Sequence, residues 1–352
     1  MAETVIYPYL LDPKLTTAIW GGDELVRDYG KRGTIGEKLA ESWECWDANA
    51  VLDGALQGKT VADLRAELRG RLVGDLDPSQ IFPILTKIIT AHDWLSVQVH
   101  PDDAYARRVE HQRNGKTECW YVFSAEPDAE IVLGWTRDTS RQEYERRVAD
   151  GTLGEILRKI PVKAGDTFYI PAGEVHAIGA GIVLFETQQA SDLTYRMFDW
   201  NRVGPDGKGR ELHVQKAADV LDYRAGTSGA LFQLPYRFEG LKRTALIGSA
   251  RFVVERVIAG AEPASINLAD RPAIVMTLDE PLEVCVGETA ARLERYQTAL
   301  VPAAARWCAV TGSSEETAFM LVTPPQGREQ LAVRMLAGGA AQDDVDRFMA
   351  QF

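Results

Sequence analysis

Gln98, His100, Glu118 and His176 are the residues of this sequence whose types and surroundings read as a metal site. Gln98 and His100 lie in Leu95-Ser96-Val97-Gln98-Val99-His100-Pro101, where the two-residue alternation of a strand turns both side chains to one face. Glu118 lies in Lys116-Thr117-Glu118-Cys119-Trp120-Tyr121-Val122, which is again apolar and rich in strand formers. His176 closes the run Gly165-Asp166-Thr167-Phe168-Tyr169-Ile170-Pro171-Ala172-Gly173-Glu174-Val175-His176. Two imidazoles, a carboxylate and an amide oxygen form an N/O set suited to a borderline divalent ion such as zinc. A set without thiolates, lining a barrel with room for water, points to a catalytic rather than a structural ion. Gln98 is the weakest donor of the four and has a second reading as a hydrogen-bond support for a ligand. A lone histidine is usually a surface or core residue, and His92, His111 and His213 are read that way.

The elements that must position these residues are mostly strands. Turn residues punctuate short apolar runs through most of the chain, which predicts a mainly β core with short helical insertions. Strands are expected at 82–91, 94–100, 168–171, 182–188 and 194–198, with 118–123 and 129–135 forming a strand pair. The polar segment 101–115, with Asp102 and Asp103 available to cap a short helix, separates His100 from Glu118. Leu64, Leu68 and Leu72 predict a helix over 61–72, and Tyr144, Val148, Leu153, Ile156 and Leu157 predict another over 140–159.

Composition narrows the function classes. The 352 residues suffice for two domains or one large one, and the net charge of −12 argues against nucleic acid and acidic membrane surfaces. No apolar run approaches the length of a membrane helix. Residues 1–4 lack the basic and apolar regions of a signal peptide, and Cys45, Cys119, Cys285 and Cys308 are scattered singly, so a cytoplasmic protein with reduced thiols is expected. Gly21-Gly22 belongs to no nucleotide-binding glycine pattern.

The spacing carries a resemblance as well. From Gly165, five residues lead to Pro171-x-Gly173 and two more to His176, which resembles the second metal-binding motif of the cupin superfamily; Gln98-x-His100 stands for the first motif, with Glu118 displaced by an insertion. The segments Ser96-Val97-Gln98-Val99-His100-Pro101-Asp102-Asp103, Gly115-Lys116-Thr117-Glu118 and Pro171-Ala172-Gly173-Glu174-Val175-His176-Ala177 resemble the type I mannose-6-phosphate isomerase family in its short bacterial form. Phe185-Glu186-Thr187-Gln188-Gln189-Ala190-Ser191-Asp192-Leu193-Thr194-Tyr195-Arg196 is similar to that family's arginine segment, and Ile19-Trp20-Gly21-Gly22 and Glu41-Ser42-Trp43-Glu44 to its N-terminal landmarks.

The resemblance implies two cupin-type jelly-roll barrels (a bicupin), with a catalytic domain over 1–225 and a degenerate one over 226–352. Residues 296–307 parallel 165–176 when aligned on proline, with Pro302 beneath Pro171 and Trp307 beneath His176, so the second unit keeps the shape without the metal. It also implies one Zn2+ per chain on Gln98, His100, Glu118 and His176, with Lys116 and Arg196 as catalytic cations. Glu186 is the candidate base. Asp192, Arg202 and Trp20 are the candidate substrate contacts; Arg202 stands where the family often has lysine, and Ile178 where some members have tyrosine. A structural reading competes for Arg196, in which Glu186 and Asp192 pair with it, and for Trp20, as a core aromatic. The implied reaction interconverts mannose 6-phosphate and fructose 6-phosphate through an enediol. The alternatives are isomerisation of an unphosphorylated sugar and a sugar-sensing cupin without catalysis.

Overall fold

The structure is a computed structural model and describes residues 6–203, 207–325 and 327–352, so the leading segment weighed above as a leader lies outside the described residues. The chain is mainly β, with four antiparallel sheets among the described residues. A six-stranded sheet runs in the order Lys14–Gly22, Leu39–Cys45, Ile84–Ala91, Ile182–Gln189, Glu118–Ala125 and Thr167–Ile170. A five-stranded sheet runs Tyr195–Phe198, Val97–Val99, His176–Ile178, Glu130–Trp135 and Leu157–Pro161. Their inner faces meet over Ile89, Trp120, Val122, Ile131, Leu133, Phe168 and Leu184. Downstream, a seven-stranded and a four-stranded sheet enclose Val257, Val275, Val284, Val310 and Leu321. The outer faces of the six- and seven-stranded sheets bury Ile84, Ile88 and Phe185 against Leu246, Val254, Ile274 and Met320.

Strand alternation explains this layering. In Ile84–Ala91 all eight residues are buried, because one face looks into the first sheet pair and the other toward the second. The two halves of the chain also interlock. Tyr9–Leu10 pairs with Thr298–Val301 in the seven-stranded sheet, so the first described strand belongs to a sheet built otherwise from residues past 230. Lys31, 7 % exposed, bridges the halves by pairing with Glu44 at 2.6 Å and donating to the Tyr296 carbonyl.

Several sequence expectations need correction. The stretches 118–123 and 129–135 are strands but do not pair; Glu118–Ala125 lies in the six-stranded sheet and Glu130–Trp135 in the five-stranded one facing it. Alternation marks a half-buried strand but not its partner, and both strands contribute to the same core from opposite walls. The helix over 140–159 is Arg141–Ala149 alone, followed by a 3-10 turn at Leu153–Ile156 and the strand Leu157–Pro161. The helix over 61–72 ends at Leu68, because Arg69 takes a positive φ of 52° ahead of Gly70, and a short helix Gly70–Val73 follows. Asp102 caps the short helix Asp103–Tyr105 as expected, accepting from the Tyr105 amide at 2.7 Å. No helix among the described residues is long and apolar enough to cross a membrane.

The second sheet pair is pinned by a buried charge network. Glu255, 2 % exposed at its side chain, holds Arg243 at 3.2 Å and Arg334 at 2.8 Å, and accepts from the Tyr236 hydroxyl. Burial alone would raise the Glu255 pKa, yet Arg334, Arg243 and the Tyr236 donor hold it below the usual carboxylate range. That stabilisation is present above the ordinary carboxylate range and is lost as pH falls through the depressed folded value. Glu255→Gln leaves Arg334 without its carboxylate and Arg243 with Glu239 alone, at 2.8 Å, and a loss of about 3 kcal/mol is expected. Thermal melts at pH 7 check this; an unchanged melting temperature would contradict it.

Candidate metal centre

Two walls meet at the site. On the five-stranded sheet His176 stands directly across from Gln98, and Gln98 across from Arg196. The flanking Val97, Val99, Tyr195 and Met197 pack outward, so Gln98, His176 and Arg196 share the inner face. On the facing sheet Trp43, Lys87, Glu186 and Trp120 form a cross-strand row, with Glu118 two residues from Trp120 on the same face. Pro101 fixes the entry of the next segment, since its carbonyl accepts from the Lys116 amide at 2.9 Å and places Lys116 beside Glu118.

The distances close the centre. Glu118 Oε2 lies 3.2 Å from His100 Nε2 and 2.8 Å from Lys116 Nζ, and Glu118 Oε1 lies 3.4 Å from His176 Nε2. The ligand atoms of His100, Glu118 and His176 all fall within 4.8 Å of one another, and all three residues are buried. His100 Nδ1 faces the Leu193 carbonyl and His176 Nδ1 the Glu174 carbonyl, each at 2.9 Å. A carbonyl only accepts, so each Nδ1 carries the hydrogen and each Nε2 presents its lone pair inward. Both Nε2 atoms are buried without a hydrogen-bond partner, an arrangement that a bound cation satisfies.

The electrostatics agree with that fit. Burial pushes the His176 pKa down; burial together with the Lys116 charge takes His100 down to about 3, so both rings are neutral ligands at pH 7. Burial opposes ionisation of Glu118, but Lys116 and His100 hold it well below the usual range. Glu186 moves the other way, raised by burial and by the Glu118 charge. Trp120 Nε1 donates to Glu186 Oε2 at 3.1 Å, while Oε1 has only Lys87 at 3.4 Å.

The description "phosphomannose isomerase type I, catalytic domain" matches residues 9–130. The mannose-6-phosphate isomerase of Streptococcus mutans is 44 % identical over 253 residues, covering 70 % of this chain and 77 % of that protein. The chain belongs to the type I phosphomannose isomerase family. The crystal structure of the Bacillus subtilis mannose 6-phosphate isomerase superposes with a TM-score of 0.79 at 29 % identity, covering 90 % of this chain and 99 % of that one. A zinc-bound mannose 6-phosphate isomerase shares the fold at a TM-score of 0.71 and 14 % identity, covering 91 % of this chain and 100 % of that one.

For a type I phosphomannose isomerase, the other sequence candidates divide by their surroundings. Arg196 does not pair with Glu186 or Asp192. Its Nη1 donates to the Glu211 carbonyl at 2.9 Å, its Nε is buried without a partner, and no carboxylate pairs with it among the described residues. Asp192 is exposed and acts on Lys87 through its charge. Arg202 is committed elsewhere, to Asp199, to Asp93 at 3.2 Å and to the Trp94 carbonyl at 2.7 Å. Trp20, 7 % exposed, sits in the apolar cluster with Ala40, Ile89 and Leu95, and Ile178 lies in the same cluster.

Sequence reasoning missed Lys87 and Glu41. Lys87 Nζ lies 3.4 Å from Glu186 and 3.5 Å from Glu41, over the Trp43 ring. A lysine as the one charged residue of the strand-forming run 84–91 was the available signal, because an inward lysine needs a partner.

One ion per chain is expected on elemental analysis of the purified protein, about one equivalent, as for a single complete site. Cys119 faces the other side of its strand, in the core between the sheet pairs, so Cys119→Ser should retain the ion. Loss of metal in that variant would relocate the site.

Proposed function

We propose that the protein is a zinc-dependent aldose–ketose isomerase that interconverts mannose 6-phosphate and fructose 6-phosphate. The convergence of two orphaned imidazole Nε2 atoms with Glu118, beside Lys116 and close enough to Glu186 for the two carboxyl groups to interact, is the observation that carries this reading. Gln98, His100, Glu118 and His176 would hold the ion, which supplies an electrophile for the carbonyl and hydroxyl oxygens of the sugar.

The chain's own groups account for the rest. Isomerisation moves a proton between C1 and C2 of the open-chain sugar, so it needs one base that reaches both carbons and cations for the negative charge of the enediol stage. Glu186 is the candidate for the first task. Trp120 fixes one of its oxygens, its Oε1 is left without a hydrogen-bond partner beside Lys87, and burial with the Glu118 charge favours its protonated form. Lys116 presents a cation beside Glu118, and Arg196, on the same sheet face as Gln98 and His176, has donors left for a substrate oxyanion or phosphate. Asp192, exposed and acting on Lys87 through its charge, remains the candidate substrate contact, whereas Trp20 in the apolar core and Arg202 paired with Asp199 and Asp93 are occupied structurally. The two sheet pairs read as two cupin-type barrels dividing near residue 225, with the metal in the first. The chain crosses from the larger to the smaller sheet at 167–178 and again at 298–312, and Trp307 stands where the first unit has His176.

A coupled assay of fructose 6-phosphate formation, run beside plain mannose, tests the reading. Turnover of mannose 6-phosphate with little on mannose is expected. Preference for mannose would move the substrate to unphosphorylated sugars, and inactivity on both would leave a binding protein.

A further inference from the structure

Arg196 lies on Tyr195–Phe198, the edge strand of the five-stranded sheet. An edge strand leaves a row of backbone N–H and C=O groups without a ladder partner. At Arg196 a single distant residue fills both. The His213 amide donates to the Arg196 carbonyl at 2.7 Å, and the Arg196 amide donates to His213 Nδ1 at 3.1 Å. Two residues earlier the Glu211 carbonyl takes Arg196 Nη1 at 2.9 Å. Backbone and guanidinium are therefore held from one three-residue stretch, which stands where a neighbouring strand would.

We propose that His213 is a positioning residue for Arg196 and acts on the reaction only through that arginine. This rests on the isomerase reading above. The chemistry of the contact is specific. The Arg196 amide is a donor, so Nδ1 must offer its lone pair and the ring must be neutral with its hydrogen on Nε2. A phenyl or aliphatic side chain fills the volume without an acceptor and leaves a half-buried N–H unpaired. His213 is tethered in turn, since it directly precedes the helix Val214–Val220, whose Ala217 and Ala218 pack on the outer face of the sheet. His92 and His111 have no comparable relation to a site residue; His92, itself exposed, contacts Glu24 at the start of the short helix Glu24–Arg27, and His111 is exposed at a positive φ of 55°.

The test is a double-mutant cycle on the metal-loaded enzyme. His213→Leu, His213→Asn, Arg196→Lys and the double variant His213→Leu with Arg196→Lys are compared with the native protein. Circular dichroism and melting temperature are followed beside kcat and KM on mannose 6-phosphate. Asparagine places its Oδ1 near the position of Nδ1 and restores the acceptor. His213→Leu should lower kcat/KM about tenfold, the size of effect expected from a displaced charge-assisted contact, with His213→Asn recovering most of it. In the Arg196→Lys background His213→Leu should add less than about twofold, because residues acting as one unit are not additive. Full additivity, no loss in His213→Leu, or no recovery in His213→Asn despite an unchanged melting temperature would each overturn the proposal. A native protein without activity on mannose 6-phosphate would instead remove the isomerase reading on which it stands.

Discussion

His176→Ala is expected to remove the ion and the isomerase activity together, with turnover falling at least about a thousandfold, while the protein stays folded. The loss is large because one substitution deletes a buried ligand from a set whose atoms lie within 4.8 Å of one another. The fold should survive because its cores extend well beyond the site, which they meet at Trp120 against His176. Ile89, Trp120, Ile131, Leu133 and Phe168 close the first sheet pair, and a second and a third core lie beyond it. In this it differs from small zinc domains, where the metal supplies the folding energy. Elemental analysis, circular dichroism and the coupled assay on the same preparation check the three parts. A variant that lacks metal yet turns over normally would refute the role given to the centre.

Arg196→Lys is expected to lower kcat about a hundredfold although the charge is retained. A guanidinium presents a planar fork of donors, and here one arm is fixed on the Glu211 carbonyl while Nε has no partner. An ammonium cannot reach the carbonyl and the substrate together. Kinetics on mannose 6-phosphate and on plain mannose locate the contact. A loss confined to the phosphorylated sugar assigns the arginine to the phosphate; equal losses in turnover assign it to the enediol stage. Near-normal kinetics with a lowered melting temperature would return Arg196 to a structural role.

The inward residues of single strands were legible in the sequence because strand periodicity fixes which side chains share a face. Gln98 with His100 followed from alternation, and His176 from the resemblance of the 165–176 run to the second cupin motif; the structure brings His100, Glu118 and His176 together. What alternation does not encode is which wall a strand joins. Glu118–Ala125 and Glu130–Trp135 read alike and lie in facing sheets, so the pairing expected between them was wrong. The strand Leu157–Pro161 was hidden because its apolar residues continue a helical spacing begun by Tyr144 and Val148, and only the tertiary pairing with Glu130–Trp135 decides it. Long-range partners were invisible for the same reason. Arg196 meets the backbone of 211–213 rather than Glu186, and Lys87 joins Glu41 to Glu186 across three strands. The exchange of Tyr9–Leu10 into the seven-stranded sheet has no local signal, since two residues carry no period.

Chelation followed by metal titration tests the central claim most directly. The purified protein is stripped, assayed for fructose 6-phosphate formation from mannose 6-phosphate, then reloaded stepwise with Zn2+ while activity and melting temperature are recorded. The stripped protein is expected to be folded but inactive, with activity that returns in proportion to metal and saturates at about one equivalent per chain. Undiminished isomerase activity in protein shown by elemental analysis to be metal-free would contradict it.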